Sequence, residues 1–261
     1  MKHFLPVFFT IVFTAQQAFG LDLFKKKESS VFDFTSWSDS ISQAQSSDGT
    51  LFYPVTINDE VLITGEIDIP GLTADIIFLS ALNYAVDHLD TTDEHEQIGE
   101  IKPDDKSFML RLYSRQGSNN NETTFTRLAL VEACNGKIKF TVTQLDVKYR
   151  EKGLIPRTVA FEKLNPAINQ RHNELVDLCV QINAQYFSDI ANDIPNTEPI
   201  SVTYWDKILD KEVVKGMTPF EVKLILGKPV TCRDNGDRVR WIYPNNYVLL
   251  FIDGKLSRIV E

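Results

Sequence analysis

Cysteine is scarce: the chain of 261 residues has three, Cys134, Cys179 and Cys232. Three are too few for a disulfide-built scaffold, so a chain of this size rests on hydrophobic cores. Cys134 and Cys179 could pair in an oxidising compartment and leave Cys232 free, with buried free thiols the equal alternative. No Cys-x-x-Cys occurs. The 12 glycines are scattered, and none falls in Gly-x-Gly-x-x-Gly, a P-loop or Gly-x-Ser-x-Gly. That removes the usual phosphate cradles and the strained nucleophile turn. Histidine is nearly as scarce: beyond residue 20 there are His88, His95 and His172 alone. His172 and Cys179 stand seven positions apart, two turns and roughly 10 Å along a helix, too far for a base to take a thiol proton. Carboxylates abound between residues 59 and 106, yet nothing singles out a general acid among them. No catalytic residue and no cofactor is assigned.

Long apolar runs are also missing, apart from one at the start. Lys2, the run 4–15 and the small residues of Ala18-Phe19-Gly20 have the layout of a cleavable signal peptide over 1–20, with Leu21 as the first mature residue. The run falls short of the about 20 apolar residues that span a bilayer. No cysteine lies near the cleavage point, so a lipobox anchor is not indicated. The expectation is a periplasmic or secreted protein without a transmembrane segment after cleavage. Lys25-Lys26-Lys27 just beyond the site leaves an uncleaved anchor as the alternative.

What is present is globular: 43% hydrophobic and 24% charged residues, with a net charge of −9. The charge is uneven. Residues 59–106 carry 13 acidic and 2 basic side chains, whereas 211–261 carry 6 and 9. The acidic stretch argues against nucleic acid as a partner and reads as a solvated face. Within it, Asp87, His88, Asp90, Asp93, Glu94, His95 and Glu96 offer imidazoles and carboxylates to a divalent ion, the basis of an alternative reading as a metal-dependent hydrolase. Their spacing matches no metal-binding loop, and a solvated helix terminus accounts for them, so no metal is assigned. Lys137, Lys139, Lys148, Arg150, Lys152 and Arg157 line one hairpin and its exit, as charges that discourage edge pairing do.

Residues 21–50 are Ser-, Gln- and Asp-rich and read as a flexible leader. Two strands, 51–57 and 60–69, flank the turn Asn58-Asp59. Thr73 caps a helix to about Leu89, with Leu79, Leu82, Val86 and Leu89 on one stripe. Strands follow around Phe108, Leu110 and Leu112, over 125–134, and over 137–149 after Asn135-Gly136. On the last of these the apolar phase slips from Ile138, Phe140 and Val142 to Leu145, Val147 and Tyr149, which predicts a β-bulge. A helix is predicted over 166–190 with Leu175, Leu178, Ile182, Tyr186 and Ile190 on one side. Residues 51–192 are thus predicted to form an α+β domain, an antiparallel sheet covered by two helices. A linker spans 193–203.

The domain 204–261 is predicted to hold a helix over 204–214, a second helix and a three-stranded meander. The second helix start is dense in signals: Met217 as staple, Thr218 as N-cap, Pro219 at N1 and Glu221 closing a capping box, with Gly227 and Pro229 as stops. Strands 238–243, 247–252 and 255–260 follow. Val214-Lys215-Gly216-Met217-Thr218, Glu221-Val222, Leu226-Gly227-Lys228-Pro229, Trp241-Ile242-Tyr243, Leu250-Phe251 and Asp253-Gly254-Lys255-Leu256 together resemble the SmpA/OmlA family. That family includes the small lipoprotein of the outer-membrane β-barrel assembly machine and shares a fold with β-lactamase-inhibitor-like proteins. The resemblance implies a non-catalytic module that contacts proteins or the membrane, though this chain lacks the family's N-terminal lipidated cysteine. Residues 51–190, with Ile69-Pro70-Gly71 closing a strand, resemble a family of exported Gram-negative proteins of unknown function with a TATA-box-binding-protein-like fold. Fold likeness implies nothing about DNA.

The expectation is therefore an exported, non-catalytic binding or adaptor protein of the bacterial cell envelope, an accessory factor in outer-membrane assembly being one alternative. Its partner is expected to be an envelope protein and not nucleic acid. Trp241, Tyr243, Tyr247 and Phe251 alternate on the meander, and some are expected to point away from the core as interface anchors.

Overall fold

The computed structural model describes residues 44–45, 51–57, 60–89, 96–117, 122–150, 155–164 and 169–260. The signal peptide 1–20 and nearly all of the leader 21–50 lie outside the described residues. An antiparallel sheet is built from β1 (Ala44–Gln45), β2 (Leu51–Ile57), β3 (Glu60–Asp68), β4 (Gln97–Lys102), β5 (Ser107–Gln116), β6 (Thr123–Cys134) and β7 (Lys137–Tyr149), in the order β1-β2-β3-β7-β6-β5-β4. The short β8 (Arg157–Ala160) pairs with the far end of β7. β4 and β8 were not expected from the sequence.

Register shows why one face buries so well. Ile63, Val142, Ala129 and Leu110 stand side by side across four strands, each at most 1% exposed. Two helices cover that face: α1 (Ala74–His88) and α2 (Gln170–Asp193). Phe78 of α1 meets Phe108 edge-on at 6.1 Å, and Phe187 of α2 stacks on Phe140 at 4.2 Å. Thr73 caps α1 through its hydroxyl. The Asn135 side chain adds a bond from Ala74 N–H (2.9 Å), tying the β6–β7 turn to the helix start.

The predicted bulge is present. Thr126 faces Asp146 while Leu128 faces Thr143, so Gln144 and Leu145 share a single opposing residue, Arg127. Gln144 takes φ 46° to turn the corner. Two helix details differ from expectation. Asn169, not Pro166, opens α2, accepting from the N–H groups of Arg171 and His172. Its buried stripe runs through Val176, Cys179, Val180, Asn183 and Phe187, leaving Leu178, Ile182 and Tyr186 half-buried.

The C-terminal unit holds α3 (Trp205–Leu209), α4 (Pro219–Leu226) and a sheet of β9 (Thr231–Asp234), β10 (Arg238–Ile242), β11 (Val248–Ile252) and β12 (Lys255–Val260), in the order β12-β11-β10-β9. The meander is four-stranded, not three-stranded. The helix expected over 204–214 ends at Leu209, because Lys211 turns left-handed (φ 58°). The capping box forms as predicted, with both Thr218 and Glu221 bonds present. The two regions share one buried cluster: Trp205 of α3 lies against Phe78 of α1 at 5.9 Å, and Lys223 of α4 pairs with Asp87 of α1 at 2.5 Å.

Candidate interaction surface

The four aromatic rings proposed as anchors share one face of the C-terminal sheet. Trp241 pairs with Leu249 and Val239 with Phe251, so the odd-numbered residues of β10 and β11 point the same way. Tyr243 and Tyr247 follow them at the adjoining turn. That face lies under α4 and its C-cap. Trp241, Tyr243 and Phe251 are buried, and Lys223 of α4 sits 5.9 Å above the indole. The Tyr243 hydroxyl donates to the Gly227 carbonyl at 2.9 Å, and its burial, followed by the nearby Tyr247, pushes its pKa up. Only Tyr247 stays half-buried. The expectation that some of these rings point outward therefore fails for three of the four: they are core, not anchors.

The even-numbered face is the uncovered one. A single rung aligns Arg233, Arg240, Leu250 and Arg258 across all four strands. The neighbouring rungs align Arg238, Ile252 and Lys255 on one side, and Thr231, Ile242, Val248 and Val260 on the other. All five cations are exposed, while Leu250, Ile252 and Val248 are half-buried between them. Among the described residues, none of the five forms an ion pair. The result is a flat basic face with an aliphatic centre, on a chain whose net charge is −9. Sequence reading missed it because a meander shows its alternation without saying which parity meets the helices.

No family model matches the chain, and no curated protein does. Among solved structures, a TBP-like protein from Parabacteroides distasonis is 10% identical with a TM-score of 0.48, over 55% of this chain and 98% of its own. A DUF4468 family protein from Bacteroides ovatus is 16% identical with a TM-score of 0.46, over 56% and 94%.

The other candidates resolve into structural roles. His88 is exposed, stacked on Tyr84 with ring centres 3.8 Å apart, and its Nδ1 contacts the Tyr84 carbonyl at 2.9 Å. Asp87 is engaged by Lys223, and His95 lies outside the described residues. Within the described residues, no three metal-ligating side chains gather. All three cysteines are free thiols. Burial pushes the Cys179 thiol up to about 12, far from a working nucleophile. His172 Nε2 instead meets the Tyr149 hydroxyl at 2.9 Å, and that hydroxyl accepts from Arg157. Lys137 and Lys139 both pair with Glu66, and Lys152 lies outside the described residues. One buried cation went unnoticed in the sequence. Arg127, opposite the bulge, is 2% exposed, with Nε donating to Asn183 (2.7 Å) and Nη1 to Ser114 (3.0 Å). Burial pulls its pKa down. It ties β6 to α2 and β5 and reaches no solvent-facing site.

Proposed function

We propose that this protein is an exported, non-catalytic binding protein of the bacterial cell envelope, acting through protein–protein contacts made by the outer face of its C-terminal sheet. The observation that carries the reading is the rung Arg233, Arg240, Leu250 and Arg258. Exposed cations around an aliphatic centre, free of internal carboxylates, form a surface that is complete only against something else. Export follows from the layout of residues 1–20. The resemblance of the 214–256 motifs to the SmpA/OmlA family favours an accessory role in outer-membrane assembly as the narrower version. Hydrolase chemistry at the acidic histidine cluster gains no support: Asp87 is engaged by Lys223, and no three metal-ligating side chains gather among the described residues.

The test uses the full chain. Cell fractionation should place it outside the cytoplasm, with residues 1–20 removed. Immobilised protein should then retain a specific envelope protein, and Arg233→Glu with Arg240→Glu should release it. A cytoplasmic location, or capture that ignores the charge reversal, would defeat the reading.

A further inference from the structure

The edge strand next to this face points to the shape of the partner. β9 is the last strand of its sheet, and its four residues, Thr231 to Asp234, are all exposed. Antiparallel pairing with β10 satisfies only alternate residues of such a strand. The others turn N–H and C=O groups outward, and no strand of the described residues receives them. Resting on the function proposed above, we infer that an extended acidic segment of another protein adds to β9 as a fifth strand, with carboxylates at alternate positions facing Arg233.

Three features favour this occupant over others. A free edge presents donors and acceptors in register, and a polypeptide strand satisfies both at once, whereas a lipid headgroup or a nucleic acid does not. An added strand places its side chains about 5 Å from those of β9 on the same face. A carboxylate there meets Arg233 directly, and Arg240 and Arg258 extend the same rung behind it. Finally, the charge contrast steers: five exposed cations share this face on a chain whose net charge is −9, so an acidic segment is drawn to it. The chain's own edge strand β4 is a poorer occupant, since its single carboxylate, Glu100, is balanced by Lys102. Its register shifts between Ile98 and Ile101, and such a bulge blunts an edge against pairing.

The experiment measures binding of labelled, end-blocked heptapeptides to the full chain by fluorescence anisotropy at low salt. The probe is Thr-Glu-Val-Glu-Val-Glu-Thr. One control replaces Glu with Lys; another keeps the three Glu but replaces both Val with Pro, which preserves charge and forbids a strand. The alternating acidic peptide should bind at least about tenfold tighter than either control, an affinity ratio equivalent to roughly 1.4 kcal/mol. Amide exchange at residues 231–234 should slow on binding. Arg233→Glu with Arg240→Glu should weaken it about tenfold or more, and the matching Lys replacements should keep most of it. Cys232→Pro should remove binding while leaving every charge in place, with circular dichroism checking that each variant folds. Equal binding of the Pro peptide would overturn the inference in favour of a plain anion patch. So would charge-dependent binding to phosphatidylglycerol vesicles, or charge-dependent self-association, without peptide binding. Envelope-protein capture that is lost on charge reversal while no acidic peptide binds would sink this inference alone and leave the proposed function standing.

Discussion

Two glutamates with buried carboxylate oxygens show how little residue type says until its partners are known. Glu221 is wholly buried, yet its Oε1 accepts from the N–H groups of Thr203 (2.6 Å) and Tyr204 (3.1 Å), and Oε2 from the N–H (2.7 Å) and hydroxyl (3.0 Å) of Thr218. One carboxylate thus serves the starts of both α3 and α4. Glu132 sits on the back of the large sheet in the rung Glu66, Lys139, Glu132, Ser107, and its Oε2 is buried without a partner. Burial pushes its pKa above the usual value, against the pull of Lys139, while nearby Asp105 and Glu66 push it further up. A raised carboxyl pKa means the folded state holds its proton more tightly than the unfolded state, so stability is lost as pH climbs through that interval above 4.5. The same change, Glu to Gln, should therefore act in opposite directions. Glu221→Gln puts an NH2 group against N–H donors and should lower stability by about 2 kcal/mol. Glu132→Gln should raise stability at pH 7 and give a gain that shrinks towards pH 4, where the wild-type carboxyl is already protonated. Urea unfolding of both variants at the two pH values checks this; a loss for Glu132→Gln at pH 7 would mean its carboxylate is better served than the rung suggests.

At the scale of elements, signals carried by consecutive residues were legible and signals carried by partners were not. The capping box at Thr218 and the bulge at Gln144 were both readable, since adjacent positions encode them. The end of α3 was not. Glu212 N–H bonds back to the Lys207 carbonyl (2.8 Å) and Lys211 N–H to that of Ile208 (3.1 Å), a Schellman ending in which Lys211 occupies the left-handed position that usually announces itself as glycine. An L-residue there costs on the order of 1 kcal/mol, so Lys211→Gly should raise the unfolding free energy by up to that amount, seen as a higher urea midpoint. A drop would show that the lysine side chain makes a contribution of its own. The two edge strands β4 and β9 escaped for a different reason. Apolar alternation is written by burial on one face, and β9 is exposed throughout, while the irregularity between Ile98 and Ile101 breaks the alternation of β4. The basic face escaped with β9, because without that strand Arg233 has no rung to join.

For the whole molecule, the decisive contacts lie between regions that the sequence separates by more than a hundred positions. Asp87 looked like one carboxylate in an acidic cluster, yet it meets Lys223 across 136 positions. Phe78 fell off the expected stripe of α1 because it packs against Phe108 on one side and Trp205 on the other. Of these links the ring contact should dominate. The ion pair is 23% and 38% exposed at its two side chains, and partly solvated pairs contribute at most about 1 kcal/mol. Truncating a core Trp costs about 3–5 kcal/mol, and Trp205 is half-buried, so Trp205→Ala should lower stability by roughly 2 kcal/mol on that scale. Because the rings bridge the two regions within one buried cluster, the loss should also reduce cooperativity. Calorimetry should show one transition for the native chain and a broadened or split one for Trp205→Ala, with Asp87→Asn close to native. Trp205 meets Phe78 of α1 and α4 packs on the inner face of the C-terminal sheet, so the outer rung of arginines is untouched. Trp205→Ala should therefore bind the acidic strand peptide as the native chain does. If it melts as one sharp transition at the native temperature, the two regions are held together by something other than this stacking; if it loses the peptide as well, the basic face depends on the docking and is not an independent surface of the C-terminal unit.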